Sequence, residues 1–218
     1  MGGVIRSATV AAALSGSVFA GVVFSDQRSR GTASVCADVT TNDHLSGPAS
    51  NVLRAEATRI WARHRVTVSW SKPVPVNCDE VVPIVFDSDR LRRIAGPKRD
   101  DALALTVFSG RSRIVYVSIA RAFQLVGQLR ESSPTIYSDG ERDIRGGILL
   151  GRVVAHELGH VLLTTTAHST TGLMRAIYGT GDVLSADEST TALSSSEQGR
   201  LALRFSLTDA PTVLAQGR

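Results

Sequence analysis

The alternation of apolar and polar residues along the chain predicts a helix followed by several strands. Apolar positions recur at helical spacing from a cap at Ser50 or Asn51 to about His64. Short, mainly apolar runs then predict strands over 66–70, 81–86, 102–108 and 113–119, and the first of them alternates and is rich in β-branched residues. Pro83 favours an edge position or the strand start over the sheet centre for the second of these strands, because proline cannot donate to a sheet ladder.

The second half of the chain is predicted to be mainly helical. A helix is predicted over 120–130, and the polar segment 132–147, which contains three glycines, is predicted as a loop. Residues 148–163 are apolar on nearly every side, so they predict a buried helix. A Ser-Ser-Ser-Glu cap at 194–197 starts a last helix that reaches about Phe205. The order of elements predicts one α+β domain over 47–206, followed by a tail over 207–218.

The N-terminal segment has the pattern of an export signal. An apolar run of about 16 residues follows Arg6, and Val18-Phe19-Ala20 offers a cleavage site of small residues. We therefore expect a signal peptide over 1–20 and a secreted or periplasmic protein. An uncleaved membrane anchor is the alternative, although the run is short against the about 20 residues of a membrane span. Residues 21–46 are polar and rich in small residues, which predicts a surface tail.

The charge distribution bears on possible partners, and the two cysteines bear on the redox compartment of the protein. The 218 residues carry a net charge of +4 with the Lys and Arg residues dispersed, so a nucleic-acid partner is not favoured. Cys36 and Cys78 are the two cysteines, and in an exported chain they predict one disulfide. The alternatives are two buried free thiols, or a Cys36 thiolate that blocks a metal site.

The chemistry is concentrated in His156-Glu157-Leu158-Gly159-His160. Residues i and i+4 of a helix share one face, so His156 and His160 are able to bind one ion, and imidazole ligands suit Zn²⁺. Glu157 lies beside that face, where a carboxylate is able to accept a proton from a metal-bound water. Because buried polar groups without partners are costly, a metal site is favoured over an accidental motif in this apolar helix.

A catalytic zinc site needs a third protein ligand. The β-branched run at 164–166 disfavours further helix, so the chain is able to turn back and deliver His168. His168 is the preferred third ligand. The acidic alternatives lie further along the chain: Asp182, Asp187 and Glu188.

The segment HELGHVLLTTTAHSTTGLM, residues 156–174, resembles the zinc site of the metzincin proteases, especially small secreted bacterial members. The resemblance implies that His156, His160 and His168 bind zinc, that Glu157 is the general base, and that Met174 occupies a tight turn beneath the metal. It also implies a twisted mixed sheet, a backing helix and a buried active-site helix.

The spacer between the second and third histidines departs from the usual family pattern. It has seven residues instead of five, and Leu163 stands where the family has a glycine. We expect the two additional residues to make the turn without a positive φ.

The resulting hypothesis is a zinc-dependent endopeptidase that acts on a protein or peptide substrate. It is expected to be a monomer, with no stable membrane insertion after signal cleavage. The alternatives are a non-catalytic zinc domain, a zinc amidase acting on cell-wall peptides, and an exported binding module without metal. Four other residues are expected to have no role in the metal site. We expect Tyr178 to be a core or pocket-wall residue, Arg175 to be a surface residue, and His44 and His64 to be solvated.

Overall fold

The computed structural model describes residues 31–99, 101–131, 138–176 and 185–207. They form a single domain of one mixed sheet and five helices, which confirms the predicted class. The strands are β1 (Ala33–Thr41), β2 (Val66–Ser69), β3 (Glu80–Phe86), β4 (Ala104–Ser109) and β5 (Ser112–Val117). The helices are α1 (Gly47–Ala62), α2 (Ser88–Ala95), α3 (Ile119–Glu131), α4 (Asp139–Leu163) and α5 (Ser195–Phe205). Short 3-10 helices span Pro97–Arg99 and Glu188–Thr191.

The five strands lie in the order β2-β1-β3-β5-β4. β1 pairs in parallel with β2 and β3, and β3 pairs in parallel with β5. β4 pairs antiparallel with β5, and a tight turn at Gly110, where φ is +58°, connects the two strands. β4 is therefore an edge strand of the sheet.

Helices α1 and α4 pack against each other at very short range. A Cβ at Gly147 would lie 2.7 Å from Val52 Cβ, and one at Gly151 would lie 2.7 Å from Glu56 Cβ. The indole Nε1 of Trp61 in α1 donates a hydrogen bond to the Ala155 carbonyl of α4 at 3.1 Å. α1 thus backs the helix that carries the histidine motif.

The predicted surface tail is wrong over residues 33–41, which form β1 in the interior of the sheet. Val35, Cys36 and Ala37 are buried there because β1 has a paired strand on each side. Cys36 is joined to Cys78 by a disulfide with a Cα–Cα distance of 5.8 Å. The predicted disulfide is confirmed. Among the described residues there is no free cysteine, so the alternatives of two free thiols and of a Cys36 thiolate that blocks the metal site are wrong. The predicted signal over 1–20 lies outside the described residues.

Two further expectations from the sequence are corrected. β3, which contains Pro83, is an internal strand, and it tolerates the proline because its pairing with β5 begins only at Ile84. The predicted loop over 132–147 is wrong from residue 139 onward, where α4 begins. Gly146 and Gly147 serve close packing and not a turn, since a Cβ at Gly146 would lie 2.5 Å from the Phe123 ring and one at Gly147 would lie 2.7 Å from Val52 Cβ.

Helix α4 has the length and hydropathy of a membrane span. However, 83% of its most apolar window is buried within the fold. Its apolar surface is thus already covered by other elements of the protein.

Candidate metal centre

Helix α4 presents two buried imidazoles on the same face, one turn apart. His156 Nε2 and His160 Nε2 lie 3.1 Å from each other. His168, exposed in the segment after α4, brings a third imidazole, and the candidate ligand atoms all lie within 4.8 Å of one another. The structure therefore brings together the three histidines that the sequence analysis selected, as a group able to hold a metal ion.

Backbone carbonyls determine the tautomers of the two helical histidines. His156 Nδ1 lies 2.7 Å from the Leu173 carbonyl oxygen, and His160 Nδ1 lies 2.8 Å from the Thr165 carbonyl oxygen. A carbonyl only accepts, so each Nδ1 carries the proton and each Nε2 presents a lone pair.

The two Nε2 lone pairs therefore face each other across 3.1 Å, with no proton for a hydrogen bond between them. A shared cation would turn this repulsion into attraction. A tetrahedral zinc with bonds of about 2.0–2.1 Å separates two nitrogen ligands by about 3.3 Å. The donor set thus fits a metal ion such as zinc.

The helix ends in a left-handed residue directly before the segment that carries His168. Thr164 has φ +49° and ψ +51°, so the expectation of a turn without positive φ is wrong. Thr165 N donates to His160 O at 3.1 Å and Thr164 N to Val161 O at 3.2 Å, which is the bonding of a Schellman motif. Arg204 of α5 reinforces this end by donating to the Val161 carbonyl and, at 3.0 Å, to the Thr164 hydroxyl.

Met174 lies in a tight turn against the same helix. Arg175 N donates to Gly172 O at 3.3 Å, and Gly172 has φ +72°, a conformation that favours glycine. Met174 is fully buried, and a Cβ at Gly159 would lie 2.2 Å from its Sδ. The turn also supplies the Leu173 carbonyl that accepts from His156, so it contacts and orients a candidate ligand.

Glu157 is buried beside the histidines and is held by the edge strand. The Thr106 hydroxyl of β4 donates to Glu157 Oε2 at 2.6 Å. Burial raises the pKa of the Glu157 carboxyl to about 7, although the Thr106 hydrogen bonds oppose the shift. Burial also lowers the pKa of His156 to about 4 and lowers the pKa of His160.

A cavity of about 460 Å³ opens onto this group of side chains. Its walls combine apolar side chains with arginines, and His156, Glu157 and His168 line it as well. The other lining residues include Leu103, Leu125, Leu149, Val153, Arg121, Arg152 and Arg175. A ligand in this cavity would therefore contact both the candidate base and two candidate metal ligands.

The described acidic alternatives are engaged away from the histidines. Asp187 accepts from Ser189 N at 2.9 Å and caps a 3-10 helix. Glu188 forms ion pairs with Arg59 at 3.2 Å and Arg63 at 3.0 Å. Asp182 and Tyr178 lie outside the described residues.

The structure confirms the expected exposure of one of the residues that were given no role in the metal site, and corrects it for two others. His44 is exposed, as expected. His64 is not solvated: it is half-buried with its ring against Trp61, and burial lowers its pKa. Arg175 is half-buried and lines the cavity, so the surface interpretation is wrong.

Three residues of the site were not found from the sequence: Thr106, Ser169 and Glu197. Glu197 accepts from the hydroxyl of Ser169, the residue after His168, and its other oxygen accepts from Ser194 N at 2.7 Å. The only sequence signal was the capping box of Ser194 and Glu197, which predicts a helix start and says nothing of a metal site.

Comparison with protein-family models, curated proteins and solved structures found no match for this chain.

Proposed function

We propose that the protein is a zinc-dependent peptidase in which His156, His160 and His168 hold the ion and Glu157 is the general base. The observation that carries the proposal is a group of three histidines whose candidate ligand atoms lie within 4.8 Å of one another, beside the buried carboxylate of Glu157, which lines the same cavity as His156 and His168. The resemblance of residues 156–174 to metzincin sites points to the same chemistry.

In the proposed hydrolysis of a peptide bond, the histidines, Glu157 and Thr106 have different roles. A zinc ion held by the histidines would lower the pKa of a water molecule and polarise the scissile carbonyl. Glu157 accepts the proton of that water and passes it to the nitrogen of the leaving amine. The Thr106 hydroxyl holds Oε2 of Glu157 during the transfer.

The edge strand β4 is the proposed binding surface for the substrate main chain. It carries Thr106 and so runs directly beside Glu157. An extended peptide adds to such an edge by main-chain hydrogen bonds, while a cavity selects one of its side chains. The apolar walls and the arginines of the 460 Å³ cavity would receive that side chain.

We also propose that the enzyme works outside the cytoplasm. The Cys36–Cys78 disulfide fits an oxidising compartment. The apolar segment before residue 25 supplies an export signal for this route, and the proposed substrates are proteins or peptides in that compartment.

Cleavage of a peptide library by the zinc-loaded protein, read by mass spectrometry, tests the proposal. We expect Glu157→Gln to bind zinc and to lose about 10²- to 10⁴-fold in turnover. Glu188→Gln removes a carboxylate that is 68% exposed and serves as the matched control, with turnover retained.

Full cleavage by Glu157→Gln would refute the mechanism. Zinc binding by the wild type without cleavage of any peptide would instead indicate a non-catalytic zinc domain. Activity confined to cell-wall peptides would indicate an amidase with the same centre.

A further inference from the structure

His168 differs from the other two candidate ligands in how its ring is held. His156 and His160 are buried and each bonds a backbone carbonyl through Nδ1. His168 is exposed, and its ring makes no hydrogen bond to the residues that the structure describes. Because His168 also lies outside helix α4, its position depends on how the neighbouring backbone is held.

Ser169, the next residue, supplies that anchor through both its backbone and its side chain. Ser169 N donates to the Met174 carbonyl at 2.8 Å, which ties the segment to the turn beneath α4. The Ser169 hydroxyl donates to Oε1 of Glu197 in α5. Two different elements thus hold the residue that follows His168.

Glu197 is a rigid partner for this hydroxyl. It is only 2% exposed, and its Oε2 accepts from the backbone N of Ser194 at 2.7 Å. A buried carboxylate without hydrogen bonds is costly, so both oxygens favour keeping their donors. The carboxylate consequently bridges the start of α5 and the segment that carries His168.

We propose that Ser169 and Glu197 are positioning residues for His168 and that their hydrogen bond sets the zinc affinity of the site. The inference rests on the proposed zinc site and not on peptide hydrolysis. Residues that orient metal ligands typically change metal affinity by about 10- to 100-fold when they are replaced.

Ser169→Ala removes the bridge, and Ser194→Ala is the matched control. The control removes the hydroxyl that accepts from Glu197 N at 3.3 Å, which weakens the helix cap. It leaves the backbone N of Ser194 bonded to Glu197, so the bond from Ser169 persists. Ser169→Ala therefore loses the side-chain part of the anchor and keeps the backbone bond to Met174, whereas Ser194→Ala loses only a helix-cap bond.

The readouts are the zinc dissociation constant from chelator competition, the melting temperature of the metal-free protein, and the visible absorption of bound Co²⁺. We expect Ser169→Ala to weaken zinc binding by about 10- to 100-fold and to alter the cobalt absorption, which depends on coordination geometry. We expect Ser194→Ala to lower the melting temperature and to leave the zinc affinity within about twofold.

Unchanged zinc affinity in Ser169→Ala, or an equal loss in Ser194→Ala, would overturn the inference, as would a wild type that binds no zinc. A wild type that binds zinc but cleaves no peptide would refute the proposed function and leave this inference standing.

Discussion

Replacing Gly159 with alanine tests the packing between α4 and the turn beneath it. A Cβ at this position would lie 2.2 Å from Met174 Sδ and 3.1 Å from its Cε, and Met174 is fully buried. The sulfur must therefore shift within a packed core, which costs about 1–3 kcal/mol.

An exposed glycine in another helix gives the reference for this substitution. A Cβ at Gly199 in α5 would contact no neighbouring group within 4 Å, so Gly199→Ala gains about 1 kcal/mol of stability from helix propensity. The same propensity gain applies at Gly159 and partly offsets the clash. The two variants should therefore differ in free energy of unfolding by the overpacking cost of about 1–3 kcal/mol.

Urea unfolding of the metal-free variants measures this difference. A third protein, Met174→Ala, removes the sulfur, and in that background Gly159→Ala should cost little because the clash is gone. If Gly159→Ala proves as stable as Gly199→Ala, the close contact between α4 and Met174 does not exist as described.

Three further outcomes are expected. Thr106→Val should lower peptide turnover by about 10- to 100-fold, because it removes a hydrogen bond to a buried carboxylate, and Thr106→Ser should restore it in the same kinetic assay. Thr164→Gly should have a free energy of unfolding in urea about 0.5–1 kcal/mol higher than Thr164→Ala, because both variants lose the hydroxyl that accepts from Arg204 and only glycine adopts φ +49° freely; equal stability of the two variants would count against strain at that residue. Burial lowers the pKa of His64 from 6.5, so its neutral form stabilises the fold above about pH 6.5 and this contribution is lost as the pH falls through the folded pKa. The stability advantage of the wild type over His64→Gln should accordingly shrink in denaturation curves from about pH 7.5 to about pH 5, and a constant difference would contradict it.

The parts of the site that could be predicted from the sequence are those governed by local geometry. His156 and His160 share a helix face because four residues make about one turn, whatever surrounds them. The cap at Ser194 with Glu197 three residues later is equally local, and the structure contains that capping box. Both patterns lie within one helical turn, so neighbouring elements do not alter them.

The misassigned segments depend on tertiary neighbours. β1 is too polar to read as a buried strand until β2 and β3 are seen on its two sides. The glycines at 146 and 147 suggested a loop because glycine is common in turns, yet here they let Phe123 and Val52 approach α4 closely.

The hydrogen bonds to the two glutamates beside the candidate site join residues that are far apart in the sequence. Thr106 reaches Glu157 across 51 positions, and Ser169 reaches Glu197 across 28. Each pair is a serine or threonine with a glutamate, which is common in any sequence. No spacing rule connects such residues, so only the folded arrangement of β4, α4 and α5 reveals them.

Anomalous diffraction at the zinc absorption edge, from crystals of the purified protein, tests the central claim most directly. We expect one anomalous peak bonded to Nε2 of His156, Nε2 of His160 and a ring nitrogen of His168, at about 2.0–2.1 Å from each. A peak elsewhere, a peak that lacks His168, or no peak after zinc is supplied would contradict the claim that these three histidines form one metal centre.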